Sequence, residues 1–431
     1  MSYQTRERRR LRLLSLFCLV FSILSGTGEA ADPPTDLPGS QPPDQLIESF
    51  LQRYWDRPLT AQGKPPSGFG ELEASLAPGS CGTCHSAQFN DWRQSLHSRA
   101  MGPGVAGQLV DMSPQARDEH QACIRCHAPL KEQADSLAAS LAATRESGVA
   151  TTPRHNPGRP LHEEGLVCAT CHVRGYQWYG PPRRPGLPVP TDPAALPHGG
   201  WQENTAFEDS RFCAACHQFE ADGYALNGKL LENTLAEWQA SRYARKGVTC
   251  QSCHMPDRRH LWRGIHDLEM TGRGVDIQAQ EIHVTATILY GKLTMKNTGT
   301  GHYFPTYVTP RVLLEGYQTD ARGKSLPGTL RQYTVGRKIA LDLSKEYFDT
   351  RLAPDADVTV EYEVPLHGQA TSLVFRVRVE PDAFYTRSYQ ALLDSSYNGR
   401  GRNQIEAALL NSQTSKFTIY ESHHPVLGDK H

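Results

Sequence analysis

Ten of the eleven cysteines in this 431-residue chain fall into one pattern, Cys-x-x-Cys-His, repeated five times. The copies are Cys81/Cys84/His85, Cys123/Cys126/His127, Cys168/Cys171/His172, Cys213/Cys216/His217 and Cys250/Cys253/His254. Two thiols three residues apart are spaced to add to the two vinyl groups of one haem, and the adjoining His supplies the fifth ligand to its iron. A lone Cys-x-x-Cys reads more readily as half of a zinc site or as a dithiol redox motif. Five recurrences with His in the same place, using every cysteine except Cys18, favour covalent haem c at each copy, five haems in all.

The first cysteines of successive copies are 42, 45, 45 and 37 residues apart. So little chain cannot wrap each haem in a core of its own. The haems must share walls, and closely spaced haems make a conduction path for electrons. The elements expected to position them are helical or irregular. Leu130, Ala134, Leu137 and Leu141 recur at helical spacing after the second copy, and seven prolines from Pro181 to Pro197 mark a loop. Sheet is not expected in this stretch.

A weaker repeat lies beside the first and last copies, Trp92-x-x-Ser95-x-His97 and Trp238-x-x-Ser241-x-Tyr243. Thr234 and Glu237 have the spacing of a capping box ahead of the second. Each is expected to set an aromatic ring and a ligand-reaching side chain on a helix beside a haem.

The sixth ligand decides what such a haem does. Two His ligands close the iron and favour electron transfer, Met raises the potential, and an open or Tyr-bound position admits small-molecule chemistry. Thirteen His remain beyond the five proximal ones. His97 leads the candidates, followed by His162, six residues before Cys168, and then by His260, His266, His302 and His198, each near a motif or flanked by Gly or Pro. A surface or hydrogen-bonding His is the competing reading for each. Met101 and Met255 are placed to ligate iron, although packing against a porphyrin is the commoner fate of such a Met.

The chain opens with the three parts of a secretory signal over residues 1–30: Arg6 to Arg12, an apolar run from Leu11 to Leu24, and Gly28-Glu29-Ala30. The apolar run is shorter than the ~20 residues of a spanning helix, and no later stretch is apolar enough to cross a bilayer. Export to the periplasm or outside a bacterial cell is the expectation, and it agrees with haem attachment. Without these 30 residues, which hold five Arg and two Glu, the formal charge moves from -1 to -4. An acidic chain argues against nucleic acid or anionic membrane as partner. Redox proteins, a small-molecule oxidant or reductant, or further copies of the chain remain.

Residues 31–75 read as a Pro-rich linker and one amphipathic helix over 44–55, with Leu46, Ile47, Phe50, Leu51 and Tyr54 on its apolar face. Residues 76–275 form the five-haem region. From about residue 276 cysteine disappears and alternation begins, in Ile282 to Tyr290, Val358 to Val364 and Leu373 to Val379. With turns expected at Gly291 and Asn297, residues 276–431 read as an antiparallel β-sandwich of the immunoglobulin-like kind. Helices are expected over 384–393 and 404–410, before a last strand near 417–420. The loop Gly299-Thr-Gly-His302-Tyr-Phe-Pro305-Thr interrupts the pattern, either reaching back to a haem or serving as an ordinary hairpin loop.

The first motif with its W-x-x-S-x-H segment, CQSCHMP at 250–256, GIHD at 264–267 and GHYFPT at 301–306 resemble exported multihaem cytochromes c related to the nitrification tetrahaem cytochrome and hydroxylamine oxidoreductase. The resemblance spans roughly residues 76–421. It implies haems packed in near-parallel and near-perpendicular pairs, mostly bis-His ligation with His97 and His302 as sixth ligands, and electron carriage. The chain departs from the enzyme relatives in having five attachment motifs where hydroxylamine oxidoreductase has more, and no crosslinking Tyr can be placed. An electron carrier is therefore the first expectation. An oxidoreductase acting on a small nitrogen or sulfur compound at one open haem, or a subunit of a haem-stacking assembly, are the alternatives.

Overall fold

A computed structural model describes residues 43–56, 59–112, 117–147, 159–186, 191–192, 196–395 and 397–426. The expected export signal with Cys18, the expected linker up to residue 42 and parts of the proline-rich loop lie outside the described residues. Residues 45–431 form one compact unit; the preceding unit, 1–44, is described only at Pro43 and Asp44.

The N-terminal half is a set of helices threaded by short turns. Helix α1 (Pro43–Tyr54) is the amphipathic helix expected there. Its Leu51 and Tyr54 are buried against Ala206 and Phe212, so its apolar face covers the ground between the third and fourth Cys-x-x-Cys-His copies. Tyr54 donates a hydrogen bond to the Cys171 carbonyl at 2.8 Å, and the Arg174 guanidinium lies over the Tyr54 ring. Four further helices follow, α2 (Ser86–Trp92), α3 (Pro103–Asp111), α4 (Arg117–His127) and α5 (Lys131–Ser147). The last is the helix expected from Leu137 and Leu141, both of which are buried together with Met101, Leu109 and Ile124. Met101 is thus a core residue.

Four copies of the motif sit on a helical turn, in α4, Cys168–His172, Arg211–His217 and Cys250–His254, and the first begins on one, Pro78–Gly82, with Cys84 in the turn that follows and His85 next to it. Positions i and i+3 share a face of such a turn, which is why two cysteines at this spacing point the same way. Sheet does occur between the copies, contrary to expectation, as strands of two to four residues: Val173–Arg174, Gln177–Gly180, Gln202–Glu203, Ala225–Leu226 and Lys229–Leu230. They are too short for an alternating pattern to announce them. Arg337, with a fully buried side chain, ties the last two down by donating to the carbonyls of Leu226, Lys229 and Leu230 and to Glu346.

Helix α6 (Thr234–Gln239) precedes the fifth copy, and from Asp276 the chain becomes antiparallel sheet. The strands are β1 (Asp276–Thr285), β2 (Ile288–Lys296), β3 (Arg311–Thr319), β4 (Arg331–Ile339), β5 (Glu346–Asp349), β6 (Asp357–Pro365), β7 (Ser372–Glu380) and β8 (Phe417–Pro425). One sheet has the order β6-β2-β1 and the other β5-β4-β3-β7-β8. Leu289, Leu293, Met295 and Tyr362 from the first share a core with Val312, Leu314, Phe375 and Val377 from the second. The first turn falls at Ala286 and Thr287, where β1 pairs with β2, and Ala286 takes a φ of 50°. Gly291 lies inside β2, where a side chain would meet Leu373 and Phe375 across the core.

Between β7 and β8 two helices, α7 (Ala383–Asp394) and α8 (Arg402–Thr414), leave the sheet. They pack on α3: the Asp111 carboxylate accepts hydrogen bonds from the Arg400 and Gly401 amides and from the Tyr397 hydroxyl. The helices expected over 384–393 and 404–410 are these two, each longer than its apolar pattern.

Candidate metal centres

Two metal–imidazole bonds of about 2 Å, with about 1.1 Å from each nitrogen to its ring centre, put two axial imidazoles on one metal about 6.2 Å apart, centre to centre. Four motif histidines face a second imidazole at that spacing. His85 faces His198 at 6.4 Å, His172 faces His260 at 6.1 Å, His217 faces His97 at 6.2 Å and His254 faces His302 at 6.4 Å. Among the described residues no such ring faces His127.

The ring nitrogens are sorted in the same sense. Nδ1 of His127, His172 and His254 donates to the carbonyls of Ala100, Tyr179 and Arg263, at 2.6, 2.8 and 2.6 Å. Nδ1 of His198, His260 and His302 donates to the carbonyls of Gly200, Arg258 and Tyr303. A hydrogen bond at Nδ1 fixes the tautomer and leaves the Nε2 lone pair for a metal. Burial pushes His97 down to about 3 and His260 and His302 to about 4, so these rings are neutral near pH 7, as ligands must be.

The four facing rings come from four different supports. His97 begins a 3-10 turn (His97–Arg99) just after α2. Trp92 of α2 donates to the Leu166 carbonyl at 2.6 Å, and the Leu166 amide donates to the His97 carbonyl at 2.9 Å. Gly165, with a φ of +67°, allows this clamp, because a Cβ there would stand 2.3 Å from the His97 carbonyl oxygen. His260 is set by Asp91 of α2, whose carboxylate accepts from the His260 amide at 3.1 Å and from two nitrogens of Arg259. His198 stacks on Trp178 at 4.3 Å. Trp262 lies edge-on to both His97 and His260, at 4.7 and 5.0 Å, and so separates the third and fourth sites.

His302 comes from the β region. Its carbonyl accepts from Asn297 at 3.0 Å, and the loop is gripped by Glu237 of α6, which accepts from the Tyr303 amide at 3.0 Å and the Thr306 hydroxyl at 2.6 Å. Arg351 closes the clasp on Glu237 at 3.2 Å and on the Thr306 carbonyl at 2.6 Å. Thr234 and Glu237 therefore do not form a capping box. Asn233 is the N-cap of α6, Thr234 bonds Thr306, and Glu237 is buried with the loop.

Several candidates go elsewhere. His162 is buried with its Nδ1 2.9 Å from the Ser136 hydroxyl, and His266 presents Nε2 to both carboxylate oxygens of Asp382 at 3.0 Å. Neither is brought opposite a motif histidine. Tyr243, at the ligand position of the second W-x-x-S repeat, donates instead to the Thr298 carbonyl at 2.6 Å. His217 differs from the other motif histidines, since its Nδ1 meets the Tyr307 hydroxyl at 2.5 Å and lies 3.5 Å from Glu232. Tyr307 carried no signal in the sequence, because its role depends on a contact across 90 residues.

The cysteines have the arrangement that haem attachment needs. No disulfide joins any of the ten described cysteines, and no three His, Cys, Asp or Glu side chains converge as a bare metal site among the described residues. Cys81 lies beside Cys168, bringing the first copy next to the third, and Cys213 lies beside Cys250, bringing the fourth next to the fifth. Cys216 follows Cys213 on the helix Arg211–His217, and both are half-buried. The second thiols of the first and fifth copies, Cys84 and Cys253, are exposed, whereas those of the second and third, Cys126 and Cys171, are half-buried. Paired thiols three residues apart, an imidazole beside them and, at four of the five copies, a second imidazole at metal-spanning distance fit haem c.

Residues 80–150 match the family described as cytochrome c554 and c-prime. Among solved structures the chain is similar to a penta-heme cytochrome c552 from Thermochromatium tepidum, with a TM-score of 0.56 and 19% identity over 82% of this chain and 100% of that one. The fold is that of a multihaem c-type cytochrome. No curated protein matches the chain. Among the described residues no helix is long and apolar enough to cross a membrane.

Proposed function

We propose that the protein carries electrons through five covalently attached haem c groups, in the periplasm or outside a bacterial cell. The observation that carries this reading is the set of four imidazole pairs at 6.1 to 6.4 Å. Ligands on both faces of an iron favour electron transfer over small-molecule binding. The haem, when bound, supplies the one-electron couple; the chain orients, shields and tunes it. His85, His172, His217 and His254 would hold the proximal faces, and His198, His260, His97 and His302 the distal ones. The thiol contacts between copies one and three and copies four and five support a connected array. Redox proteins are the partners this reading requires, and residues 1–30 would direct export.

The β region would brace the array and lend it one ligand. Its strand order supports an immunoglobulin-like sandwich: β1, β2 and β6 stand where strands A, B and E do, and β8, β7, β3, β4 and β5 stand where G, F, C and the added edge strands do.

A second reading concerns the copy at Cys123, because His127 has no facing imidazole among the described residues. A haem held there with an open face would bind a small nitrogen or sulfur compound, and the protein would be an oxidoreductase at that position. Reductive titration with and without carbon monoxide separates the two. Uptake of five electrons per chain, with one haem in five responding to carbon monoxide, fits a carrier with one accessible iron. Turnover of a nitrogen or sulfur compound, lost in His127→Ala, would give that copy an enzymatic role. A chain that takes up no electrons would end both readings.

A further inference from the structure

Among the motif histidines whose Nδ1 partner is identified, His217 alone lacks a backbone carbonyl there. Nδ1 of His127, His172 and His254 donates to a peptide oxygen, whereas Nδ1 of His217 donates to the Tyr307 hydroxyl. Tyr307 in turn hydrogen-bonds Glu232, whose side chain is only 22% exposed and stands 3.5 Å from the same His217 nitrogen. The order of donors is fixed by chemistry: the imidazole N–H donates to the phenol oxygen, and the phenol O–H donates to the carboxylate. A carboxylate at the end of such a chain draws the imidazole proton more strongly than a neutral peptide oxygen does, and makes the other ring nitrogen a better electron donor.

We propose that Tyr307 and Glu232 are positioning residues that act through His217 to hold the metal of the fourth motif at a lower reduction potential than a carbonyl-bonded histidine would.

The clasp that carries them is rigid. Thr234 bonds Thr306 at 2.9 Å and also reaches Tyr307, Glu237 and Arg351 hold the backbone on either side of Thr306, and His302 stands five residues earlier in the same loop. One loop thus sets the far ligand of the fifth site and the outer partner of the fourth site's near ligand. Cys126 and Cys250 both lie near His217, so the fourth motif lies at the junction of the second and the fifth. A low potential at a junction keeps electrons on the flanking sites until a partner withdraws them.

This inference rests on the haem reading, and its test is chosen to fail separately from it. Wild type, Tyr307→Phe, Glu232→Gln and the control Tyr290→Phe, whose hydroxyl lies on the exposed face of the sheet, would be prepared with haem attached. Intact mass counts the haems, and a redox titration followed by electron paramagnetic resonance resolves the potentials. The expected result is that one low-spin signal in each of Tyr307→Phe and Glu232→Gln becomes easier to reduce. Its reduced-to-oxidised ratio at fixed potential rises at least tenfold, about 59 mV for one electron, while the other signals and the control stay put. Glu232→Gln keeps the side chain's shape and carries the test should Tyr307→Phe lose haem. Ratios that rise less than tenfold in both variants, or alike at every haem, overturn the inference. A wild-type chain without covalent haem overturns the reading beneath it.

Discussion

His254 and His302 stand face to face, 6.4 Å between ring centres and 14° between ring planes, although one belongs to a Cys-x-x-Cys-His copy and the other to a loop of the β region. The sheet region therefore supplies one ring of a candidate metal site as well as packing beside it. Replacing His302 with Ala opens the far face of the fifth site alone. We expect one low-spin signal to be replaced by a high-spin one, and the share of haem responding to carbon monoxide to rise by one in five. An unchanged spectrum would remove His302 from the ligand set.

The same pairing depends on Glu237, which with Arg351 forms an ion pair whose side chains are 3% and 4% exposed. Without Glu237, Arg351 would still be paired with Asp349, and the loss is that of the charged hydrogen bonds to the Tyr303 amide, the Thr306 hydroxyl and Arg351, about 1.5–3 kcal/mol. Glu237→Ala is expected to lower stability by about that much in denaturant titration and to loosen the His302 loop, so that high-spin signal grows at denaturant concentrations where the wild type is unchanged.

Asp91 plays the corresponding part at the third site. Its carboxylate, 8% exposed, is held below the usual carboxylate range, chiefly by the Arg259 hydrogen bond, and it also receives the His260 amide. Arg259 is more than half exposed, so the loss in Asp91→Asn is that of charged hydrogen bonds rather than of a buried pair, about 1.5–3 kcal/mol. The His172/His260 signal should broaden in resonance spectra while the His254/His302 signal stays as it is.

Acid should act through Asp349. Burial alone would raise its carboxyl, but hydrogen bonds from Arg351 and Lys229 outweigh burial and hold it well below the usual range. A folded value below the unfolded one, about 3.9, means that the contribution is present above that pH and is lost as pH falls toward the folded value. Thermal unfolding from pH 7 to pH 2 should show a midpoint that falls below about pH 4 in the wild type. In Asp349→Asn it should start lower and fall less steeply.

What could be read from the sequence follows from how local each feature is. The spacing of Cys81 and Cys84, like that of its four repeats, is a property of one helical turn, and the alternation in β2, β6 and β7 is a property of single strands. The rings that face them are set by contacts between distant segments. His198 has no more local signal than His162, yet it lies opposite His85 because Glu73 and Trp178 hold it there. Tyr243 shares a motif with His97 but turns to Thr298, since Arg242 and Tyr243 both close on that carbonyl. Thr234 and Glu237 have the spacing of a helix cap, but they are spent on the His302 loop instead.

The most direct measurement is the intact mass of the mature chain with its thiols counted. The account predicts a polypeptide carrying five haems on ten thioether bonds, with no reactive thiol left at any of the ten motif positions. Free thiols, zinc or disulfides at Cys81 to Cys253 would contradict it.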